Sequence, residues 1–102
     1  MELRKLGATG IDVSALALGT WEMGGLWWGP MDAEDGVTIL HRALDLGITT
    51  YDASDAYGNG RSEVILGEAF RGRRQETVIV TKAGYLVAVS YTHLTLPTNR
   101  EV

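Results

Sequence analysis

The sequence predicts an α/β fold built on a parallel sheet. Short apolar runs typical of strands occupy residues 14–19, 48–53 and 76–82, and segments with helical character, 31–47 and 61–72, lie between them. Strands that alternate with helices form parallel sheets joined by right-handed crossovers. A length of 102 residues suits one domain or part of one.

The N-terminal residues predict a β-hairpin that precedes the sheet. The segments LRKL, at residues 3–6, and DVSAL, at residues 12–16, flank a turn that contains glycine. The run SALALG then ends in glycine and is typical of a short buried strand. A glycine-rich loop, residues 20–30, follows it and contains all three tryptophans.

The first helical segment has a start signal, an apolar face and a stop signal. Asp32 suits the N-cap position, and the acids Glu34 and Asp35 suit the first turn of a helix. Gly47 suits the position just after the helix. Apolar residues at helical spacing form one stripe, which consists of Val37, Leu40, Ala43 and Leu44.

The remaining elements follow the same alternation. The β-branched segment ITTYDA, residues 48–53, predicts the second strand. The second helix is predicted to have Ser62 as its cap and Gly72 as its stop. The third strand, ETVIVTK, is apolar for most of its length, which predicts burial on both faces of the sheet.

Three chemically reactive side chains are predicted to share one edge of this sheet. Asp52 ends the second strand, Lys82 ends the third, and Tyr57 lies on the loop five residues after Asp52. Ligands on parallel sheets bind at the carboxyl ends of strands. We therefore expect Asp52, Tyr57 and Lys82 to face one cavity.

These three residue types suit the protonation of a carbonyl oxygen while a hydride arrives at the carbon. A phenol has a pKa of about 10 in water, and a nearby ammonium lowers that pKa and makes the phenol a better general acid. A carboxylate keeps the ammonium charged and oriented. Taken singly, each residue has a structural alternative: the aspartate as a turn residue, the tyrosine as surface packing, the lysine as a solvated charge.

Three blocks of sequence carry a resemblance to a known family. LGATGIDVSALALGTWEMGG, ALDLGITTYDASDAYGNGRSEVILGEAF and VIVTKAG together resemble the N-terminal third of an aldo-keto reductase, over about residues 2–85. The resemblance implies the N-terminal portion of a (β/α)8 TIM barrel, incomplete here: a hairpin, three parallel strands and two helices. It also implies reduction of aldehydes and ketones with NADPH, or possible use of NADH.

The resemblance assigns roles to individual residues. It makes Tyr57 the proton donor, and Lys82 and Asp52 the groups that tune it. It places Thr20 and Trp21, together with Asp52, at the nicotinamide end of the cofactor site. We interpret Glu63, which matches the family's acid after the tyrosine loop, as a structural residue at the start of a helix.

The sequence departs from the family pattern in two respects that bear on activity. No residue matches the family's catalytic histidine, because His41 falls inside the first helix and His93 falls in the C-terminal segment. Segments that would bind the adenosine phosphate are absent as well, so we expect the fragment to be inactive alone.

The alternative function is a non-enzymatic, redox-sensing subunit that binds NADP(H). Trp27 and Trp28 would either form one wall of a substrate pocket or pack on the barrel rim.

The C-terminal segment differs in character from the rest. We divide the chain into a barrel portion, residues 1–88, and a tail, residues 89–102, which we expect to be non-native and disordered. The tail resembles translated DNA-sequencing adapter, and a divergent natural C-terminus is the alternative.

The composition excludes several functional classes. The absence of cysteine excludes disulfides, thiolate metal sites and cysteine nucleophiles, and we assign no metal site. A net charge of −4 gives no reason to expect nucleic acid or an anionic membrane as a partner. No signal-peptide core or membrane-spanning segment is present, so we expect a cytoplasmic protein that acts on a small carbonyl compound. The oligomeric state and the substrate stay open.

Overall fold

A computed structural model describes residues 1–25 and 31–84. The chain begins with the predicted antiparallel hairpin, in which β1 (Leu3–Lys5) pairs with β2 (Asp12–Ser14). The end of the hairpin is attached to the main sheet through Ser14. The backbone N–H of Ser14 donates to Thr50 Oγ1 at 2.9 Å, and Ser14 Oγ accepts from the backbone N–H of Thr50 at 3.1 Å.

The main sheet has three parallel strands, as the alternation of segments predicts. Its order is β3 (Ala17–Gly19), β4 (Thr50–Asp52) and β5 (Val78–Val80), with β4 in the centre. The last residue of β4, Asp52, lies opposite the last residue of each neighbour, Gly19 and Val80. The three strands therefore end at one level, and the segments that follow them lie side by side.

Helix α1 (Ala33–Asp45) connects β3 to β4 and agrees closely with its prediction. Asp32 occupies the N-cap position, although its side chain makes no capping hydrogen bond. Three residues of the predicted stripe, Leu40, Ala43 and Leu44, are buried, and Val37 packs against them. Gly47 follows the helix with φ of 93°, the left-handed conformation that glycine adopts without strain.

Helix α2 (Arg61–Ala69) connects β4 to β5, and the prediction of its cap was wrong. The N-cap is Gly60, with φ of 96°, whereas Ser62 lies inside the first turn and is completely buried. The loop reaches the helix through three successive left-handed residues, Gly58, Asn59 and Gly60, so the helix begins before the serine. Gly72 also has positive φ but lies beyond the end of the helix.

The core lies between the sheet and the two helices. Tyr51 of β4 and Phe70, just after α2, are fully buried, and their ring centroids are 4.8 Å apart. The Tyr51 hydroxyl donates to the carbonyl of Ile48. The helices are also linked directly, because the His41 ring nitrogen Nε2 lies 2.6 Å from the Ala69 carbonyl oxygen. This packing fixes both helices on one side of the strands.

The prediction that the third strand is buried on both faces was wrong for the residues described here. Val78 and Ile79 are half-buried, and Val80 is 46% exposed. Strand β5 has a neighbour on one side only, β4, and within residues 1–25 and 31–84 no further strand covers its other edge. A strand is buried on both faces only where other elements pack on each side of the sheet. Ile79 packs against the core, whereas Val80, on the opposite face of β5, has less cover in the residues described.

Candidate active site

Asp52 stands at the carboxyl end of the central strand, where its backbone is held from both sides. Its carbonyl oxygen accepts from the backbone N–H of Thr20 at 3.0 Å and from Thr20 Oγ1 at 2.9 Å. On the other side, the N–H of Ala53 donates to the carbonyl of Val80 at 2.7 Å. The position of the Asp52 carboxylate is therefore set by the sheet itself.

Tyr57 lies on the loop between β4 and α2, which is built from successive turns. The N–H of Ala56 donates to Ser54 Oγ at 3.1 Å, and the N–H of Tyr57 donates to the Ser54 carbonyl at 3.2 Å. The Tyr57 carbonyl accepts from the N–H of Ser62 at 3.2 Å, which ties the loop to α2. Serine is common at such turns because its hydroxyl bonds to nearby backbone.

The Tyr57 loop crosses a second loop at two glycines. A Cβ atom built on Gly24 would lie 2.5 Å from the Gly58 nitrogen, and one built on Gly58 would lie 2.4 Å from the Gly24 carbonyl oxygen. Real Cβ atoms essentially never show such distances. The two backbones are thus in direct contact, immediately beside Tyr57, and only glycine fits at either position.

Lys82 lies two residues beyond β5 and joins the other two predicted residues. Its Nζ is 2.9 Å from Asp52 Oδ1, 2.7 Å from the Ala53 carbonyl oxygen and 3.3 Å from the Tyr57 hydroxyl oxygen. An ammonium has three N–H donors and no acceptor. All three donors of Lys82 are therefore used, one of them on the tyrosine. The expected contact among Asp52, Tyr57 and Lys82 is present.

The ion pair in this cluster is half-exposed and favours a charged lysine. The side chains of Lys82 and Asp52 are 51% and 47% exposed. The hydrogen bond to Asp52 raises the pKa of the Lys82 ammonium above its usual value, and the hydrogen bond to Tyr57 adds to this effect. Lys82 therefore keeps its proton throughout the neutral pH range.

The direction of the Lys82–Tyr57 hydrogen bond decides what the phenol can do. Because the ammonium can only donate, the Tyr57 oxygen is the acceptor, and the hydroxyl hydrogen of Tyr57 is not used in that bond. Tyr57 is half-buried, so that hydrogen can be presented to a molecule in the space above the sheet. The arrangement can donate a proton from Tyr57 and stabilise the negative oxygen that remains.

The two other predicted site residues have different surroundings. Thr20 is completely buried, and its hydroxyl donates to the Asp52 carbonyl, so in this structure it supports Asp52. Trp21 begins a 3-10 turn, Trp21–Gly24, and is 43% exposed at the same end of the sheet. Trp27, Trp28 and the tail, residues 89–102, lie outside the described residues.

The structure shows two further contacts at this edge that the sequence did not indicate. Thr81 Oγ1 donates to Glu63 Oε2 at 2.5 Å, and the N–H of Gly84 donates to Asp55 Oδ2 at 3.1 Å. Glu63 is in the first turn of α2, as interpreted from the sequence, but it also reaches across to the segment after β5. No sequence signal identifies these contacts, because their partners are 18 and 29 residues apart.

Other features of the described residues lie away from this cluster. A groove of about 380 Å³ runs along α2 and β5, with Leu66, Phe70 and Ile79 among its lining residues. Residues 1–25 and 31–84 contain no group of three or more His, Asp or Glu side chains that could hold a metal ion. Within the same residues, no helix has the length and apolar character needed to cross a membrane.

Comparisons with known proteins assign most of this chain to one family. A family model for the Aldo/keto reductase family matches residues 15–97. Aldo-keto reductase YhdN from Bacillus subtilis is 42% identical over 84 residues, and the match covers 80% of this chain and 25% of YhdN. The chain thus spans about a quarter of the length of that relative.

Solved structures show the same similarity in three dimensions. The holo form of aldo-keto reductase AKR11C1 from Bacillus halodurans superposes with a TM-score of 0.76 at 33% identity, covering 86% of this chain and 28% of that one. An aldo/keto reductase from Klebsiella pneumoniae in complex with NADP and acetate superposes with a TM-score of 0.63 at 34% identity, covering 72% and 25%. The hairpin, three parallel strands and two helices therefore correspond to part of a (β/α)8 barrel, as predicted.

Proposed function

Because the chain belongs to the aldo/keto reductase family, we propose that residues 1–84 carry the proton-donating part of an NAD(P)H-dependent reductase of aldehydes and ketones. One observation supports this proposal above the others. Lys82 donates to both Asp52 and the Tyr57 oxygen, which leaves the Tyr57 hydrogen available to a substrate carbonyl.

In the proposed reaction Tyr57 is the general acid. When bound, the reduced nicotinamide would supply a hydride, with its electron pair, to the carbonyl carbon, and the π electrons of the C=O bond would move to oxygen. Tyr57 gives its proton to that oxygen, so the carbonyl compound becomes an alcohol. Lys82 stabilises the phenolate that remains, since it already donates a hydrogen bond to that oxygen. Solvent returns the proton to Tyr57, which is only half-buried.

Asp52 acts through Lys82 in this scheme. Its carboxylate accepts one N–H of the ammonium, and the Ala53 carbonyl accepts a second, so the third N–H is directed at Tyr57. A lysine in water rotates freely and has no fixed direction. The two acceptors on β4 and just after it therefore orient the ammonium before a substrate arrives, which is the preorganisation that makes such groups effective.

The residues present suit the reactive end of a nicotinamide cofactor. Trp21 offers an exposed aromatic ring at the edge of the sheet where Tyr57 and Lys82 stand. The Klebsiella pneumoniae relative contains NADP, which supports NADPH as the cofactor here, with NADH as a second possibility. We propose that Trp21 and Asp52 border the nicotinamide, and that Thr20 contributes by holding Asp52 in place.

We further propose that residues 1–84 belong to a longer protein that forms the whole barrel, here called the full-length barrel. Eight strands and roughly 250 residues are typical of such a barrel, and the described residues include three of its strands. Residues 89–102 would then be non-native, although the family match extends into them, to residue 97. Sequencing the source DNA through codon 88 tests this directly, and a natural gene that encodes residues 89–102 would overturn it.

The experiment for the proposed function is steady-state carbonyl reduction by the full-length barrel. Residues 1–84 are followed by the natural continuation of the gene, or by the remainder of YhdN, and a panel of small aldehydes and ketones is tested with NADPH. We expect one NADPH to be oxidised for each alcohol formed. A barrel that binds NADPH but reduces no carbonyl at a steady rate would favour the redox-sensing subunit instead. The 102-residue chain itself is the control, and we expect no turnover from it.

A further inference from the structure

Lys82 stands in a segment that the sheet does not hold. Strand β5 ends at Val80, and both Thr81 and Lys82 are exposed. A lysine side chain has four rotatable bonds, so a reliable contact with Tyr57 requires that its backbone be fixed. The residues that fix this backbone are therefore candidates for a role in the reaction.

We propose that Asp55, Thr81 and Glu63 are positioning residues that hold Lys82 against Tyr57. The inference rests on the proposed function, because it concerns the same proton-donating cluster. It goes further by assigning a task to three polar side chains that touch neither Tyr57 nor the Lys82 ammonium among the contacts of the described residues.

The first attachment lies immediately before Lys82. Thr81 Oγ1 donates to Glu63 Oε2 at 2.5 Å, a short hydrogen bond of the kind formed when the acceptor is charged. Glu63 is in the first turn of α2, where the helix dipole favours a carboxylate. The bond thus connects the residue before Lys82 to the helix that begins just after the Tyr57 loop.

The second attachment lies immediately after Lys82 and is made by Asp55. Its Oδ2 accepts from the N–H of Gly84 at 3.1 Å, and its own N–H donates weakly to the Lys82 carbonyl at 3.4 Å. Its other oxygen, Oδ1, accepts from Ser54 Oγ at 3.2 Å. Asp55 therefore connects the Tyr57 loop to the Lys82 carbonyl and to Gly84, on the C-terminal side of Lys82.

These contacts act on geometry rather than on the charge of the ammonium. The Asp55 and Glu63 carboxylates bind a backbone N–H and a hydroxyl. Lys82 Nζ itself donates to Asp52, to Tyr57 and to the Ala53 carbonyl. A neutral side chain of the same shape should therefore replace Asp55. That requirement separates positioning from a simple electrostatic effect.

The first test uses the Thr81 hydroxyl in the full-length barrel. Thr81→Val keeps the shape and removes the donor, whereas Thr81→Ser keeps the donor. We expect kcat to fall by about ten- to hundredfold in Thr81→Val, with little change in the Kd of NADPH, and to recover in Thr81→Ser. Thr38→Val is the matched control, because Thr38 also donates from an exposed hydroxyl, to the Glu34 carbonyl within α1. Equal kcat in Thr81→Val and Thr38→Val would overturn the role of Thr81.

The second test uses Asp55. Asp55→Ala removes the acceptor of the Gly84 N–H, whereas Asp55→Asn retains an acceptor oxygen and removes the charge. We expect Asp55→Ala to lower kcat by about tenfold or more and Asp55→Asn to restore most of it. Faster hydrogen exchange of the Gly84 amide in Asp55→Ala alone would support the stated contact. A kcat loss that is as large in Asp55→Asn as in Asp55→Ala would overturn the positioning role.

A measurement that does not depend on turnover separates this inference from the proposed function. Lysine NMR follows the titration of Lys82 in each variant, because contact with Asp52 raises the pKa of its ammonium. We expect that pKa to fall in Thr81→Val and Asp55→Ala and to stay raised in Thr81→Ser and Asp55→Asn. If the barrel reduces no carbonyl, the proposed function fails and this pattern alone still decides the inference. An unchanged Lys82 titration in all four variants would overturn it.

Discussion

Replacement of Gly58 by alanine tests how closely the position of Tyr57 depends on the crossing of two loops. The new Cβ would lie 2.4 Å from the Gly24 carbonyl oxygen and 2.6 Å from the Gly24 Cα. Because ordinary contacts begin near 3.4 Å, the two backbones must separate by roughly 1 Å. Gly58 adjoins Tyr57 directly, so the phenol moves with it.

The expected effect has two parts that a second variant separates. Alanine at φ of 65° is disfavoured by about 1–2 kcal/mol, and the displacement of Tyr57 should lower kcat by about hundredfold. Gly60 lies in the same loop with φ of 96°, and nothing lies within 4 Å of its added Cβ. Gly60→Ala therefore has the backbone strain without the collision, and we expect its kcat to stay close to that of the parent.

The assay is steady-state carbonyl reduction by the full-length barrel at saturating NADPH, with the free energy of unfolding measured by urea for both variants. Gly24→Ala is a further check, because its added Cβ meets the Gly58 nitrogen at 2.5 Å and Gly24 has no positive φ. We expect Gly24→Ala to lower kcat about as much as Gly58→Ala does. Equal kcat in Gly58→Ala and Gly60→Ala would refute the reasoning.

Three other predictions concern the same fold. Asp52→Asn removes the largest cause of the raised Lys82 pKa, so lysine NMR should show that pKa falling towards its usual value. An unchanged Lys82 pKa in Asp52→Asn would contradict this prediction. Burial raises the pKa of Tyr51 to about 12, so the unfolded chain loses this proton at lower pH than the folded chain does. The free energy of unfolding should therefore decline as pH rises from about 10 to about 12. Urea unfolding of Tyr51→Phe should show a smaller decline, and an equal decline in the variant and the parent would contradict this prediction. Gly36→Ala places a Cβ 2.9 Å from the buried Ile65 Cγ2, so we expect it to lower the free energy of unfolding by about 1–3 kcal/mol. Helix propensity alone predicts a gain in stability, and such a gain would contradict the packing of Gly36 against Ile65.

The sequence was sufficient for the elements and for the main cluster, for a physical reason. Parallel strands end at one edge of the sheet. Asp52 ends β4 opposite Val80, and Lys82 lies two residues beyond Val80 on the same face of the sheet, so the proximity of Asp52 and Lys82 follows from the topology. Tyr57 could be predicted to lie beside these two residues because its loop begins at that same edge of the sheet. These predictions needed only periodicity and chain order, which a single sequence contains.

Contacts between distant segments could not be predicted from the sequence. Ser62 had the residue type of a cap, but the left-handed run at Gly58, Asn59 and Gly60 starts α2 earlier and buries the serine. Thr20 was expected beside the cofactor, a role that stays a prediction, and its hydroxyl in fact bonds the Asp52 carbonyl. Such outcomes depend on angles between elements, which residue type and spacing do not determine.

Contacts to the segment after β5 were missed for the same reason. Thr81 and Asp55 read as ordinary polar residues near a strand end, and nothing in their spacing links one to Glu63 or the other to Gly84. Burial of β5 was overestimated because its own residues do not show what packs on each face of the sheet. Local pattern predicts an element, and neighbouring elements decide its exposure.

The central claim is that Tyr57 donates the proton, and single-turnover reduction by Tyr57→Phe in the full-length barrel tests it most directly. Phenylalanine keeps the ring and removes the only hydrogen that the cluster offers to a substrate, while Asp52 and Lys82 remain. We predict a hydride-transfer rate at least hundredfold lower than that of the parent, with an unchanged Kd for NADPH. An unchanged rate at saturating aldehyde would contradict the account.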